Sequence, residues 1–150
     1  MTSEDSPRVF LPPPLIFGGL LAVGLVLDSD SFRLTPVAII GLATAIGGLV
    51  LIAIALGLFR SSKTRPEPWQ PASSLVLNGL YRFTRNPMYL GMAMLSLGIA
   101  IAFASLSGAV LSMVALIIID RAVVGREEAY LTRRFGQDYI AYKAKVRRWL

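Results

Sequence analysis

The chain has 150 residues, enough for one domain, and 55% of them are apolar against 16% charged, a smaller charged share than soluble domains carry. Cysteine and histidine are both absent, which excludes disulfide frameworks, thiolate nucleophiles, imidazole ligands and Ser-His-Asp or Cys-His catalysis, so no metal site is expected and acid–base work falls to Glu, Asp, Tyr, Lys or Arg. The net charge of +6 is uneven: five Lys/Arg lie between Arg60 and Arg85 and eight between Arg121 and Arg148.

Residues 1–7 carry Glu4 and Asp5 ahead of Arg8, and no small-residue cleavage site follows, so this end does not read as a signal peptide. Residues 9–27 hold no charge, and after Pro12-Pro13-Pro14 a helix is expected to begin near Pro14. It is short for a membrane crossing and is expected to tilt little or to run into the polar turn Asp28-Ser29-Asp30-Ser31. Residues 34–59 form a second uncharged run of 26 residues, longer than the roughly 20 a crossing needs. Its glycines, Gly41, Gly47, Gly48 and Gly57, read as general packing positions between helices.

Residues 60–78 hold Arg60, Lys63, Arg65, three of the prolines before Ala72 and Trp69, and read as a loop at the membrane surface. Residues 86–119 are a third uncharged run, of 34 residues. One straight helix of that length would measure roughly 50 Å against a hydrocarbon core of about 30 Å. With Ser105-Leu106-Ser107-Gly108 near the middle, the run reads as a helical hairpin, with arms at about 88–104 and 108–124. Residues 126–150 read as one basic helix with an apolar stripe at Leu131, Phe135, Tyr139, Tyr142, Val146 and Trp149, kinked at Gly136.

The fold class is therefore all-α: a single polytopic membrane domain over residues 1–150, with four transmembrane helices and an amphipathic cytoplasmic C-terminal helix. Basic clusters beside apolar spans mark the cytoplasmic side, which puts both termini there and makes the lipid bilayer the first partner. No helix-turn-helix, RNP or zinc pattern accompanies the charge, so nucleic acid is not expected as a partner.

A hairpin returns the chain to the side it left. That brings the polar cluster 78–89 within reach of a second cluster, Asp120-Arg121 followed by 126–136. Alone, Asn86-Pro87 can simply open a helix, Glu127-Glu128 can be a solvated first turn, and Glu127 can pair with Arg134 seven residues on.

Together the clusters resemble a known superfamily. Asn78-Gly79-Leu80-Tyr81, then Arg85-Asn86-Pro87-Met88-Tyr89-Leu90-Gly91, is similar to a G-x-Y-x-x-x-R-H-P-x-Y-x-G signature. Glu127-Glu128-x-x-Leu131 with Phe135-Gly136-x-x-Tyr139-x-x-Tyr142-x-x-x-Val146 is similar to its partner motif. The resemblance is to the isoprenylcysteine carboxyl methyltransferase and phospholipid methyltransferase superfamily, over about residues 73–149. It implies S-adenosylmethionine as cofactor, bound at the cytoplasmic membrane edge, and a lipophilic methyl acceptor: a lipid amine, a carboxylate or a prenylcysteine-like molecule. It places Tyr81, Asn86, Pro87, Met88, Tyr89, Glu127 and Glu128 at the cofactor, joined by Leu75 and Val76. Glu127, Arg85 and Arg134 are the residues expected to carry the chemistry, the carboxylate holding an ammonium or hydroxyl and an arginine holding the cofactor's carboxylate. Tyr81 and Tyr89 are expected to face the sulfonium.

Two positions depart from the signature. Asn86 stands where the motif has His and cannot titrate. Val123 stands four before the first Glu, where the carboxyl methyltransferases have a substrate-binding Arg. Two other classes compete: a small transporter, for which Asp120 is the one candidate ionisable group near a span, and a membrane scaffold that keeps the fold without the activity.

Overall fold

The computed structural model describes residues 12–28, 32–67 and 71–150. Ser29, Asp30, Ser31 and Trp69, and the acidic start of the chain, lie outside the described residues. Among those described, regular structure is helical apart from one isolated bridge between Thr84 and Arg147.

Helix α1, Pro13–Asp28, starts at the proline run, one residue earlier than expected. Helix α2, Pro36–Ser61, follows Thr35, whose hydroxyl accepts from the Ala38 N–H at 3.0 Å, with proline in the first turn where a missing N–H costs nothing. Helix α3 is Pro87–Ala102, and α4 is Leu106–Ile118. The turn between them comes earlier than the sequence suggested. It is made by Phe103 and Ala104, the latter at φ 55°, and Ser105 caps α4 by accepting from the Gly108 N–H at 2.9 Å. Leu106, Ser107 and Gly108 are already helical.

From α4 the chain continues without a break through a π-helical turn, Ile119–Val124, into α5, Gly125–Phe135. The continuous helix Leu106–Phe135 has 30 residues, about 45 Å, so it overruns a hydrocarbon core. Its uncharged part ends at Ile119, and the charged residues from Asp120 onward stand beyond it. Helices α2 and Leu106–Phe135 are long and apolar enough to cross a membrane; α1 and α3 are apolar but have 16 residues each.

The expected single C-terminal helix is two. Gly136 sits at φ 53° and separates α5 from α6, Gln137–Lys145. That positive φ is cheap only for glycine, so the helix breaks rather than kinks. The chain leaves helical geometry at Val146, so Val146 and Trp149 do not continue the stripe. Instead the tail doubles back along Thr84–Asn86.

Small residues set the packing of the bundle. On α2, Gly41 and Gly48 are seven apart and face Gly98 and Gly91 of the antiparallel α3. A Cβ on Gly48 would lie 2.5 Å from the Gly91 carbonyl oxygen, so this approach needs glycine. Gly57 has open space around its Cα, and Gly47 meets only a methionine methyl at 3.5 Å. The apolar core joins Phe17 of α1 and Tyr89 of α3 to Ala115, Ile119, Val123 and Val124. At the end away from the basic clusters, Asp28 closes the hairpin: its carboxylate accepts from the Ser105 hydroxyl at 2.5 Å and the Ser107 N–H at 2.8 Å.

Candidate functional site

At the opposite end, the two polar clusters meet. Tyr81 lies in a short 3-10 turn, Gly79–Arg82, that opens with Gly79 at φ 60° against Leu58 of α2. Its ring packs edge-on to Phe59 at 5.7 Å, and its carbonyl accepts from the Tyr142 hydroxyl at 2.7 Å. Pro87 then starts α3, which sets Tyr89 in the first turn. The Tyr89 hydroxyl donates to Glu127 Oε1 at 2.7 Å, joining α3 to α5 across 38 residues of sequence.

This contact borders a cavity of about 860 Å³, counting its open mouth. Leu75, Val76, Tyr81, Asn86, Met88, Tyr89, Glu127 and Glu128 all line it, as does Arg85. Two sequence-derived candidates do not. Pro87 is buried beneath the wall and serves to start α3. Arg134 stands outside, where its Nε donates to the Ala72 carbonyl at 2.5 Å, so it pins the connector and does not pair with Glu127. Tyr130, which does line the cavity, accepts from the Ala72 N–H at 3.1 Å and completes that attachment.

Glu128 is not a solvated first-turn residue. It is 6% exposed and forms the hub of an ion network. Arg148 grips it from two nitrogens, at 2.7 and 3.1 Å, while Arg85 Nη1 lies at 3.1 Å and Lys143 at 3.8 Å. Arg148 also reaches Asp120 at 3.2 Å, and the Trp149 indole donates to the same Asp120 oxygen at 3.0 Å. Asp120, on which the transport alternative rests, is thereby engaged in holding the tail. The tail is also held through its backbone. The Arg148 carbonyl accepts from the Thr84 hydroxyl at 3.1 Å and the Asn86 side-chain amide at 2.9 Å, and Arg85 N–H donates to the Arg147 carbonyl at 2.9 Å. Asn86 therefore does a positioning task that needs a fixed donor and no proton exchange.

The electrostatics divide the groups by role. Burial, and then the charge of Glu128, push the Glu127 carboxyl up to about 7, against the opposing pull of the Tyr89 hydrogen bond. Burial pushes the Tyr139 hydroxyl up to about 12 and raises Tyr81 and Tyr142 further. These phenols stay protonated at neutral pH, and Tyr142 donates its proton to the Tyr81 carbonyl. Arg85, which lines the cavity, keeps Nε shielded and without a hydrogen-bond partner.

Sequence reasoning missed Arg148, Tyr130 and Glu67. Arg148 is one of eight basic residues from Arg121 on, and only the fold singles it out. Glu67 sits in the connector read as a surface loop, yet it lines the cavity.

Comparison with known proteins gives this arrangement its context. Over 35 residues the chain is 49% identical to an uncharacterized protein of Haemophilus influenzae, a stretch covering 23% of this chain and 56% of that relative. The match thus spans little more than half of the relative's length. No solved structure matches the chain. Residues 36–138 match the phospholipid methyltransferase family, from the start of α2 into α6, and so include both polar clusters and the hairpin that joins them. The chain belongs to the phospholipid methyltransferase family.

Proposed function

We propose that the protein transfers a methyl group from S-adenosylmethionine to a lipid-phase acceptor, with a lipid amine the first choice, at the cytoplasmic rim of the membrane. The observation that carries this reading is the 2.7 Å bond between Tyr89 and Glu127, which unites the two motifs on one cavity. The residues suit the cofactor's chemistry. A carboxylate (Glu127) and an arginine with a spare donor (Arg85 Nε) oppose each other in sign, as a zwitterionic amino-acid group requires. Aromatic rings from Tyr81, Tyr89 and Tyr139 supply faces for a cation.

When bound, S-adenosylmethionine supplies an activated methyl carbon, and the acceptor's nucleophilic atom displaces the sulfur directly. This needs no protein nucleophile, so the lack of Cys and His is no obstacle. What the chain must provide is alignment and a dry site. The Glu128–Arg148–Asp120 network holds α5 and the tail against Thr84–Asn86, which fixes Glu127 and Arg85 relative to Tyr89. Helices α1 to α4 all cross the bilayer in this reading, with α1 and α3 as short spans of about 24 Å each. The basic rim faces the cytoplasm and Asp28 lies on the far side.

The test is calorimetry on the purified protein in detergent with S-adenosylmethionine and S-adenosylhomocysteine. Both are expected to bind, and Glu127→Gln to weaken them at least about tenfold, the worth of one charge-assisted hydrogen bond. Absence of heat with either ligand for the unmodified chain would overturn the proposal.

A further inference from the structure

Glu67 is a carboxylate that neither motif nor network accounts for. It lies in the connector and lines the same cavity as Glu127 and Tyr89. Its Oε2 is shielded from solvent and accepts no hydrogen bond, although Arg65 lines the cavity too. The other carboxylates of the rim are matched: Glu128 by Arg85, Arg148 and Lys143, Asp120 by Arg148 and Trp149, and Glu127 by Tyr89. A carboxylate oxygen withdrawn from water without a donor is unfavourable, and such groups persist where a ligand completes them.

The backbone around Glu67 is held on both sides. Thr64, buried, accepts from the Ser73 N–H at 3.1 Å, and the Ser73 and Ser74 hydroxyls donate to the Lys63 and Ser62 carbonyls at 2.9 and 2.8 Å. Ala72 is tied to Tyr130 and Arg134 of α5. Residues 62–64 and 72–74 are thus tied to one another, and Ala72 to α5, beside the cavity that Glu67 lines.

We infer that Glu67 is a ligand-binding carboxylate that receives an alkylammonium group from the molecule held in this cavity. The inference rests on the methyltransferase reading above. An alkylammonium is the matching chemistry because it brings N–H donors together with positive charge, whereas a sulfonium has no proton to donate. Two molecules carry it: the amino-acid end of the cofactor, and an aminophospholipid acceptor.

The experiment uses the full chain in detergent and in vesicles of phosphatidylethanolamine, with Glu67→Gln beside the unmodified protein. If the cofactor supplies the group, the Kd for S-adenosylmethionine and that for S-adenosylhomocysteine rise together by about tenfold, since both carry it. If the acceptor supplies it, both Kd values hold and the KM for the vesicle lipid rises by about the same factor. In either case the ligand-free variant melts no lower than the unmodified protein, because Oε2 accepts no hydrogen bond that the substitution could break. Unchanged Kd and KM overturn the inference. So does a lowered melting point whose losses follow from weakened folding, which assigns Glu67 a structural role. An unmodified protein that binds neither cofactor form sinks the methyltransferase reading, whereas normal cofactor binding with an indifferent Glu67→Gln sinks only this inference.

Discussion

Along the α2–α3 seam the helices touch backbone to backbone, whereas at the rim the chain is joined by ions and hydroxyls. The seam is made of Gly41 and Gly48 against Gly98 and Gly91, where backbone meets backbone. The rim is made of Glu127, Glu128, Arg85, Arg148 and Asp120, whose bonds depend on charge and so on pH and ligand. The difference follows from the surroundings. In lipid, helices gain little from burying apolar side chains and associate by close contact. At the interface, charged groups keep partial access to water and can bind something charged. The seam sets where the helices are; the rim decides what the cavity holds.

The largest expected effect breaks the seam. Gly48→Leu places a branched side chain where a Cβ alone would meet the Gly91 carbonyl oxygen at 2.5 Å and the Leu95 nitrogen at 2.6 Å. Backbone cannot yield on either side, so a loss of about 3 kcal/mol or more is expected. The measurement is the fraction that elutes monodisperse in detergent and its melting point; a variant as stable as the parent would show that α2 and α3 are not in contact here.

Next comes the rim's own scaffold. Arg148→Ala removes two of the nitrogens that hold Glu128, a residue 6% exposed, and one of the donors to Asp120, which keeps Trp149. Because Arg85 remains, the expected cost is about 2 kcal/mol, below that of an uncompensated buried charge. Asn86→Ala, which removes a single donor to the Arg148 carbonyl, should cost about 1 kcal/mol. If Arg148→Ala left both melting point and cofactor affinity unchanged, the tail would be an ornament rather than part of the site's frame.

These two regions also differ in how much of them the sequence discloses. Charge-free runs and length arithmetic reveal α2 and the hairpin, because a membrane imposes a fixed thickness on any apolar stretch. The approach of Tyr89 to Glu127 follows from the hairpin alone. Which glycines pack does not: Gly47 and Gly48 are adjacent in sequence but about 100° apart around the helix, and only the partner's position separates them. The C-terminal segment is misread because its stripe has helical spacing to Trp149, while Gly136 at φ 53° and contacts with Thr84–Asn86 some 60 residues away decide the path. Glu67 hides for a similar reason, since a proline-rich connector looks exposed until Tyr130 and Arg134 fold it inward.

A smaller effect sharpens the rim's electrostatic character. Holding a cation needs Glu127 ionised, and its carboxyl is raised to about 7 from 4.5, chiefly by burial. Cofactor affinity should therefore climb from pH 6 to 8 and level off above, by up to about tenfold per unit below the midpoint. Stability of the ligand-free protein runs the other way. A group whose folded pKa is raised favours the folded state while protonated, so its contribution is complete below about 4.5 and is lost as pH rises through about 7. Tyr89→Phe removes the hydrogen bond that favours the ionised form, so the affinity midpoint should move above 7. A midpoint that stayed in place or fell would mean that Tyr89 does not report on Glu127 in solution.

The smallest effect returns to the seam helix and asks whether its glycines are all alike. Gly57 has nothing within 4 Å of an added Cβ, in contrast to Gly48 nine residues earlier on the same helix. Gly57→Ala should fill space that only lipid or detergent occupies and reduce the backbone freedom of the unfolded chain. A gain of about 0.5–1 kcal/mol is expected, read as a rise in melting point with cofactor affinity unchanged. Loss of stability at Gly57 would mean that this face of α2 meets another helix, either a second copy of the chain or residues outside those described. The backbone contact seen at Gly48 would then extend around α2, and the division between a packed seam and a lipid-facing side would have to be redrawn.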